Sequence, residues 1–96
     1  MLNLPEEIMK DINIAKEILL REGAKEIYIF GSLVDGKYTN NSDIDIAIVG
    51  LKEDIYFKIY GELLEKLQNK FDLIGLDYNN DFSKIIKETG KFERVA

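Results

Sequence analysis

A chain of 96 residues with 18 acidic and 13 basic side chains, net −5, has room for one acidic domain with a modest core. It contains no cysteine and no histidine, which excludes disulfides, thiolate or imidazole metal sites, and Ser-His-Asp catalysis. The negative charge opposes broad electrostatic capture of nucleic acid, so any chemistry must run on carboxylates, hydroxyls, lysines and a borrowed cation. No apolar run approaches the ~20 residues of a membrane span, and Glu6 and Glu7 arrive too early for a signal peptide. A cytoplasmic protein without membrane association is expected.

Residues Asn3 to Arg21 predict an amphipathic helix. Pro5 suits a first helical turn, Glu6 and Glu7 suit the positive helix start, and Ile8, Met9, Ile12, Ala15, Ile18 and Leu19 recur at helical spacing. Gly23 is the expected stop. Lys25 to Phe30 predicts a short strand rich in Ile and aromatic residues, with Tyr28 in the core or on the sheet surface. The loop from Leu33 to Asn41 carries turn chemistry in Gly36, Thr39, Asn40 and Asn41, and is expected to begin with a short helical turn. Asp43 to Val49 predicts a buried central strand that Gly50 ends.

Lys52 to Lys70 predicts a second helix, with Ile55, Tyr56, Ile59, Tyr60, Leu63, Leu64 and Leu67 on one broad face. Phe57 and Tyr60 are the aromatic residues expected outside the core, and Gly61 would permit a close helix crossing. Phe71 to Leu76 predicts a third strand. Asn79-Asn80 signals a turn, followed by a third helix over Asp81 to Thr89 with Phe82, Ile85 and Ile86 inward. The tail from Lys91 to Ala96 would add an edge strand or dock through Phe92 and Val95.

The stretch from Phe30 to Val49 carries the chemistry. In a strand Asp43 and Asp45 share a face while Ile44 points the other way. Two carboxylates that close resist joint ionisation unless a cation sits between them. Lys37 is the only basic residue between Glu26 and Lys52, so a divalent metal is the natural partner, and hard cations such as Mg²⁺ favour carboxylate oxygens. Upstream, Gly31 permits a sharp turn with room for a bulky anion, and Ser32 adds a small donor suited to phosphate. Phosphate on one side and metal-binding carboxylates on the other is the layout for a nucleoside triphosphate.

A third acid joins them by topology. A helical connection between the second and third strands predicts a parallel crossover. Asp43 and Asp72 then start neighbouring strands at one sheet edge. The loop after the first strand is too short for a helical crossover, so that strand should run antiparallel and end at the same edge with Gly31-Ser32. Asp77 falls at the far end of the third strand.

Gly31-Ser32, ten residues ending in Ser42, and then Asp43-Ile44-Asp45 together resemble the signature of the nucleotidyltransferase superfamily that includes polymerase β. The short chain is most similar to the minimal nucleotidyltransferases, the MNT-type antitoxins that pair with HEPN-domain toxins. The resemblance implies a single domain over residues 1–96 with an α/β (α+β) nucleotidyltransferase fold, a small mixed sheet flanked by helices in the order α-β-β-α-β-α. It implies Asp43, Asp45 and Asp72 as catalytic residues holding two Mg²⁺ ions. Gly31, Ser32, Lys37 and Ser42 would contact ATP, the substrate. The implied reaction is AMP transfer to a tyrosine of a cognate HEPN RNase toxin within a hetero-oligomer, with a homo-oligomer as the other possible assembly. One departure stands out: Leu33-Val34-Asp35-Gly36 replaces the common x-Ala-Arg-Gly, so Asp35 places a negative charge where the family usually has a positive one. The alternative reading is a catalytically weak module that neutralises a toxin by contact.

Overall fold

The computed structural model describes residues 4–36, 43–78 and 91–96. Helix α1 spans Glu6–Arg21. It starts where the Pro5 carbonyl accepts the Ile8 and Met9 N–H groups, at 3.1 and 3.0 Å. Glu6 and Glu7 in its first turn and Arg21 in its last complement the helix dipole. The chain leaves the helix through Gly23, whose φ of 108° few other residues adopt.

Strand β1 (Glu26–Phe30) is followed by the short helix α2 (Ser32–Asp35) and strand β2 (Ile44–Val49). A 3-10 turn (Glu53–Ile55) leads into helix α3 (Tyr56–Lys66), then strands β3 (Phe71–Gly75) and β4 (Phe92–Arg94). The sheet order is β3-β2-β1-β4. β1 runs antiparallel to β2 and β2 runs parallel to β3, as the lengths of their connections predict, and β4 pairs antiparallel with β1. β4 is the edge strand anticipated for the tail.

Alternation along the strands sorts the side chains into two faces. Ile27, Ile29, Ile44, Ile46, Ile48, Phe71 and Leu73 pack against Ile12, Ala15, Ile18 and Leu19 of α1 and Ile59 and Leu63 of α3. Burying a side chain such as Leu63 contributes roughly 1.5–3 kcal/mol, so this face supplies most of the hydrophobic stabilisation. The opposite face carries a smaller cluster of Phe30, Ala47, Ile74 and Leu76, joined by Tyr28, Val49 and Phe92. Asp45 and Asp72 alternate onto this second face, away from α1 and α3.

Four expectations change or pass out of reach. The second helix ends at Lys66 rather than Lys70, because Leu67 turns extended with ψ of 144°. The N–H groups of Gln68 and Asn69 then go to the carboxylate of Asp11 instead of to helix carbonyls. Among the described residues no close crossing occurs over Gly61: a Cβ built there would meet none of them within 4 Å. Phe57 is 83% exposed, as expected, but Tyr60 is half-buried, its ring 4.9 Å from that of Phe71. The turn at Asn79-Asn80 and the helix over Asp81 to Thr89 lie outside the described residues.

Because Gly61 sits inside α3 with open space beyond it, Gly61→Ala should stabilise the protein by about 1 kcal/mol. Leu63→Ala, at a fully buried position on the opposite side of the same helix, should cost about 2–5 kcal/mol. Urea unfolding followed by circular dichroism reads both; a destabilised Gly61→Ala would show that the glycine has a packing role the fold does not reveal.

Candidate active site

Strand register brings the acids together. Asp45 is the register partner of Phe30 on β1 and of Asp72 on β3. Asp72 therefore stands beside Asp45 rather than beside Asp43, two residues along from the arrangement expected from the strand starts. Asp43 immediately precedes β2 on the same side. Asp43 and Asp45 are half-buried and Asp72 is exposed, so the cluster opens outward through Asp72. Asp77 is at the other end of the sheet, where its Oδ2 accepts the Gly50 N–H at 3.1 Å.

Gly31 sits directly over this cluster. Its φ of 76° and ψ of −146° turn the chain from β1 into α2, and a Cβ there would collide with Oδ2 of Asp45. The missing side chain thus makes room for a carboxylate of this chain as well as permitting the turn. The Gly31 carbonyl accepts the Val34 and Asp35 N–H groups at 3.1 and 3.0 Å, which fixes α2 beside the acids. Ser32 opens α2, and Leu33 buries its side chain beneath it. Asp35 is exposed at the end of α2. Lys37 and Ser42, the other expected nucleotide contacts, lie outside the described residues.

The electrostatics follow first from burial and then from the crowding. Burial, then the charge of Asp72, then that of Asp43, and a hydrogen bond with Asp72 push the Asp45 carboxyl from its ordinary 3.8 to about 6. Among the described residues the ion pairs join Arg21 to Glu22 and Glu62, and Arg94 to Glu26; none neutralises Asp43, Asp45 or Asp72. Burial, followed by Tyr60 and Asp72, also holds the Tyr56 phenol above its usual value, and its hydroxyl donates to the Leu73 carbonyl on β3.

Among the described residues no group of three or more His, Cys, Asp or Glu side chains could by itself hold a metal ion. Mg²⁺ seldom uses an all-protein cage: it takes one or two carboxylates and completes its shell with substrate phosphates and water. An adjacent Asp45–Asp72 pair with Asp43 close behind, short of positive charge and oxygen-only, fits that donor set.

Sequence reasoning passed over Asp11. It is 1% exposed and accepts from the turn between α3 and β3, although it falls among the apolar positions of α1. An acid at Ile8 plus three and Ala15 minus four was the available signal.

Comparison with known proteins adds three findings. The model of the polymerase beta nucleotidyltransferase family matches residues 7–92. Two curated relatives come from Methanocaldococcus jannaschii, both assigned as protein adenylyltransferases. MJ1547 is 43% identical over 47 residues, 49% of this chain and 35% of that protein. MJ0604 is 38% identical over 69 residues, 72% of this chain and 66% of that protein. The chain therefore spans only part of either relative's length. In structure it is similar to a chain of a toxin–antitoxin crystal structure with AMP-PNP, at TM-score 0.62 and 26% identity, covering 92% of this chain and 72% of that one.

A carboxyl whose folded value lies above its unfolded value binds more protons when folded, so stability falls as pH rises from 3.8 through about 6. Asp72→Asn removes the strongest like charge facing Asp45. With EDTA present, the variant should gain melting temperature over the wild type at about pH 7.5, and the gain should shrink at about pH 4.5, where Asp45 is protonated. An equal difference at both values would mean that the two carboxylates do not repel.

Proposed function

This chain belongs to the polymerase β nucleotidyltransferase family, and from that premise we propose that it transfers AMP from ATP to a protein acceptor. The observation that carries the proposal is the in-register pairing of Asp45 with Asp72 beneath the Gly31 turn, on the sheet face that α1 and α3 leave open. The two relatives assigned as protein adenylyltransferases support AMP as the group transferred. The structural likeness to a toxin–antitoxin with AMP-PNP supports ATP as donor and a toxin as partner. By the family resemblance that toxin is of the HEPN type, its acceptor is a tyrosine, and this chain acts as its antitoxin from a single minimal domain.

Asp43, Asp45 and Asp72 are the residues that would hold Mg²⁺. When bound, the metal neutralises the triphosphate and makes the acceptor hydroxyl easier to deprotonate. Gly31 and Ser32 receive the terminal phosphates at the start of α2, with Lys37 and Ser42 as further nucleotide contacts. The acceptor oxygen attacks the α-phosphorus, the bond to the bridging oxygen of the β-phosphate breaks, and pyrophosphate leaves. Asp72, the exposed member of the three, is open to an arriving hydroxyl and is placed to take its proton. Such transfer is mainly positioning and charge neutralisation, which a protein without histidine can accomplish.

A second reading has its own observation. Phe57 and Leu64 are 83% and 61% exposed on α3, whose Ile59 and Leu63 face the sheet, so an apolar contact surface lies away from the acids. On this reading the protein neutralises its partner by contact alone.

Incubation with labelled ATP, Mg²⁺ and the protein of the adjacent gene should place label on a tyrosine of that protein. Asp43→Asn and Asp45→Asn should each reduce labelling by about 10²-fold or more, the scale of losing a main electrostatic stabiliser of the transition state. Labelling that survives both changes removes these carboxylates from the reaction. Toxin inhibition by the double variant without nucleotide would favour contact alone.

A further inference from the structure

Asp11 is 1% exposed, and burying a carboxylate costs several kcal/mol unless its oxygens are well satisfied. Among the described residues it has no cationic partner. Its oxygens instead accept the Gln68 N–H at 3.2 and 3.1 Å, the Asn69 N–H at 2.8 Å and the Asn69 side-chain amide at 2.8 Å. Every one of these donors belongs to the turn between α3 and β3. That turn has two outlets. Through Phe71 it leads directly into Asp72. Through the Lys70 carbonyl, which accepts the Ile44 N–H at 2.9 Å, it grips the residue between Asp43 and Asp45.

We propose that Asp11 is a positioning residue for the candidate active site, holding the Gln68–Lys70 turn so that Asp43, Asp45 and Asp72 meet. The inference rests on the nucleotidyl-transfer reading of that site. A buried anion suits this task better than an apolar contact. Charge-assisted bonds to consecutive backbone N–H groups fix a turn in both direction and distance, whereas apolar packing permits sliding. Asp72 and Asp43 both repel Asp45, so the backbone carrying them needs an anchor on its far side. The clamp lies on the helix side of the sheet, behind the acids, and acts through the backbone that carries them.

The test compares variants that remain folded by circular dichroism. Wild-type protein is titrated with Mg²⁺·AMP-PNP in a calorimeter, beside Asp11→Asn and beside Ile18→Val, a core variant on the same helix. Loss of a supporting hydrogen-bond partner behind a metal site typically weakens binding by about 10- to 100-fold, and Asp11→Asn should fall in that range. Ile18→Val should stay within about twofold of the wild type despite its lower melting temperature. Amide exchange should accelerate at Gln68 and Asn69 in Asp11→Asn and not in Ile18→Val.

Binding by Asp11→Asn within about twofold of wild type, or equal weakening in Ile18→Val, would overturn the proposal. Should Asp11→Asn not fold, Asn69→Ala removes one arm of the clamp and should weaken binding in the same direction; unchanged binding there also overturns it. If the wild type itself binds no Mg²⁺·AMP-PNP, the nucleotide reading of the site fails, and the positioning role goes with it. Normal wild-type binding with unaffected variants removes Asp11 alone.

Discussion

Like charges held side by side across the β2–β3 pair are the constraint around which this structure is arranged. Parallel pairing puts Asp45 and Asp72 in register, and Asp43 adds a third charge at the start of β2. Burial first, and then the charges of Asp72 and Asp43, hold the Asp45 carboxyl near 6. The fold nonetheless spends a glycine at position 31 to admit the Asp45 oxygen. Local destabilisation kept in place by its surroundings is the usual mark of a site built for a ligand that the bare chain lacks.

Placement of the two helices explains how so small a chain keeps such a site accessible. Both α1 and α3 cover one face of the sheet, where five isoleucines of β1 and β2 meet the main core. The acids alternate onto the other face, where the described residues form a smaller apolar cluster. Folding energy and chemistry are thus divided between the two sides of one sheet. The link between them runs through the edge of the sheet, where the turn after α3 is bonded to Asp11 on one side and to the start of β2 on the other. A loss of precision in that turn would reach all three acids at once.

Nucleotidyl transfer asks little of a protein beyond such precision. In that reaction class the metal and the triphosphate bring most of the charge and reactivity, and the protein supplies positioning. Asp35 remains the feature that sets this chain apart from the common pattern. It is exposed at the end of α2, close in sequence to the Gly31 turn, and it adds a negative charge there. A partner that contributes basic groups near α2 would compensate for it.

Local patterning was legible from the residues alone. Helical spacing marked α1, Ile-rich runs marked β1 and β2, and the lengths of the connections gave one antiparallel and one parallel pair. The Gly-Ser and Asp-x-Asp elements marked the site because their meaning depends on neighbours a few positions away. What needed tertiary structure was whatever depends on register or on contacts between distant segments. Pairing of Asp72 with Asp45 rather than Asp43 is a shift along the ladder that strand starts do not specify. The early end of α3 and the role of Asp11 arise from a carboxylate bonded to backbone 57 and 58 residues further on. Spacing along the chain records which side chains share a face; it does not record which distant backbone groups a buried charge will meet.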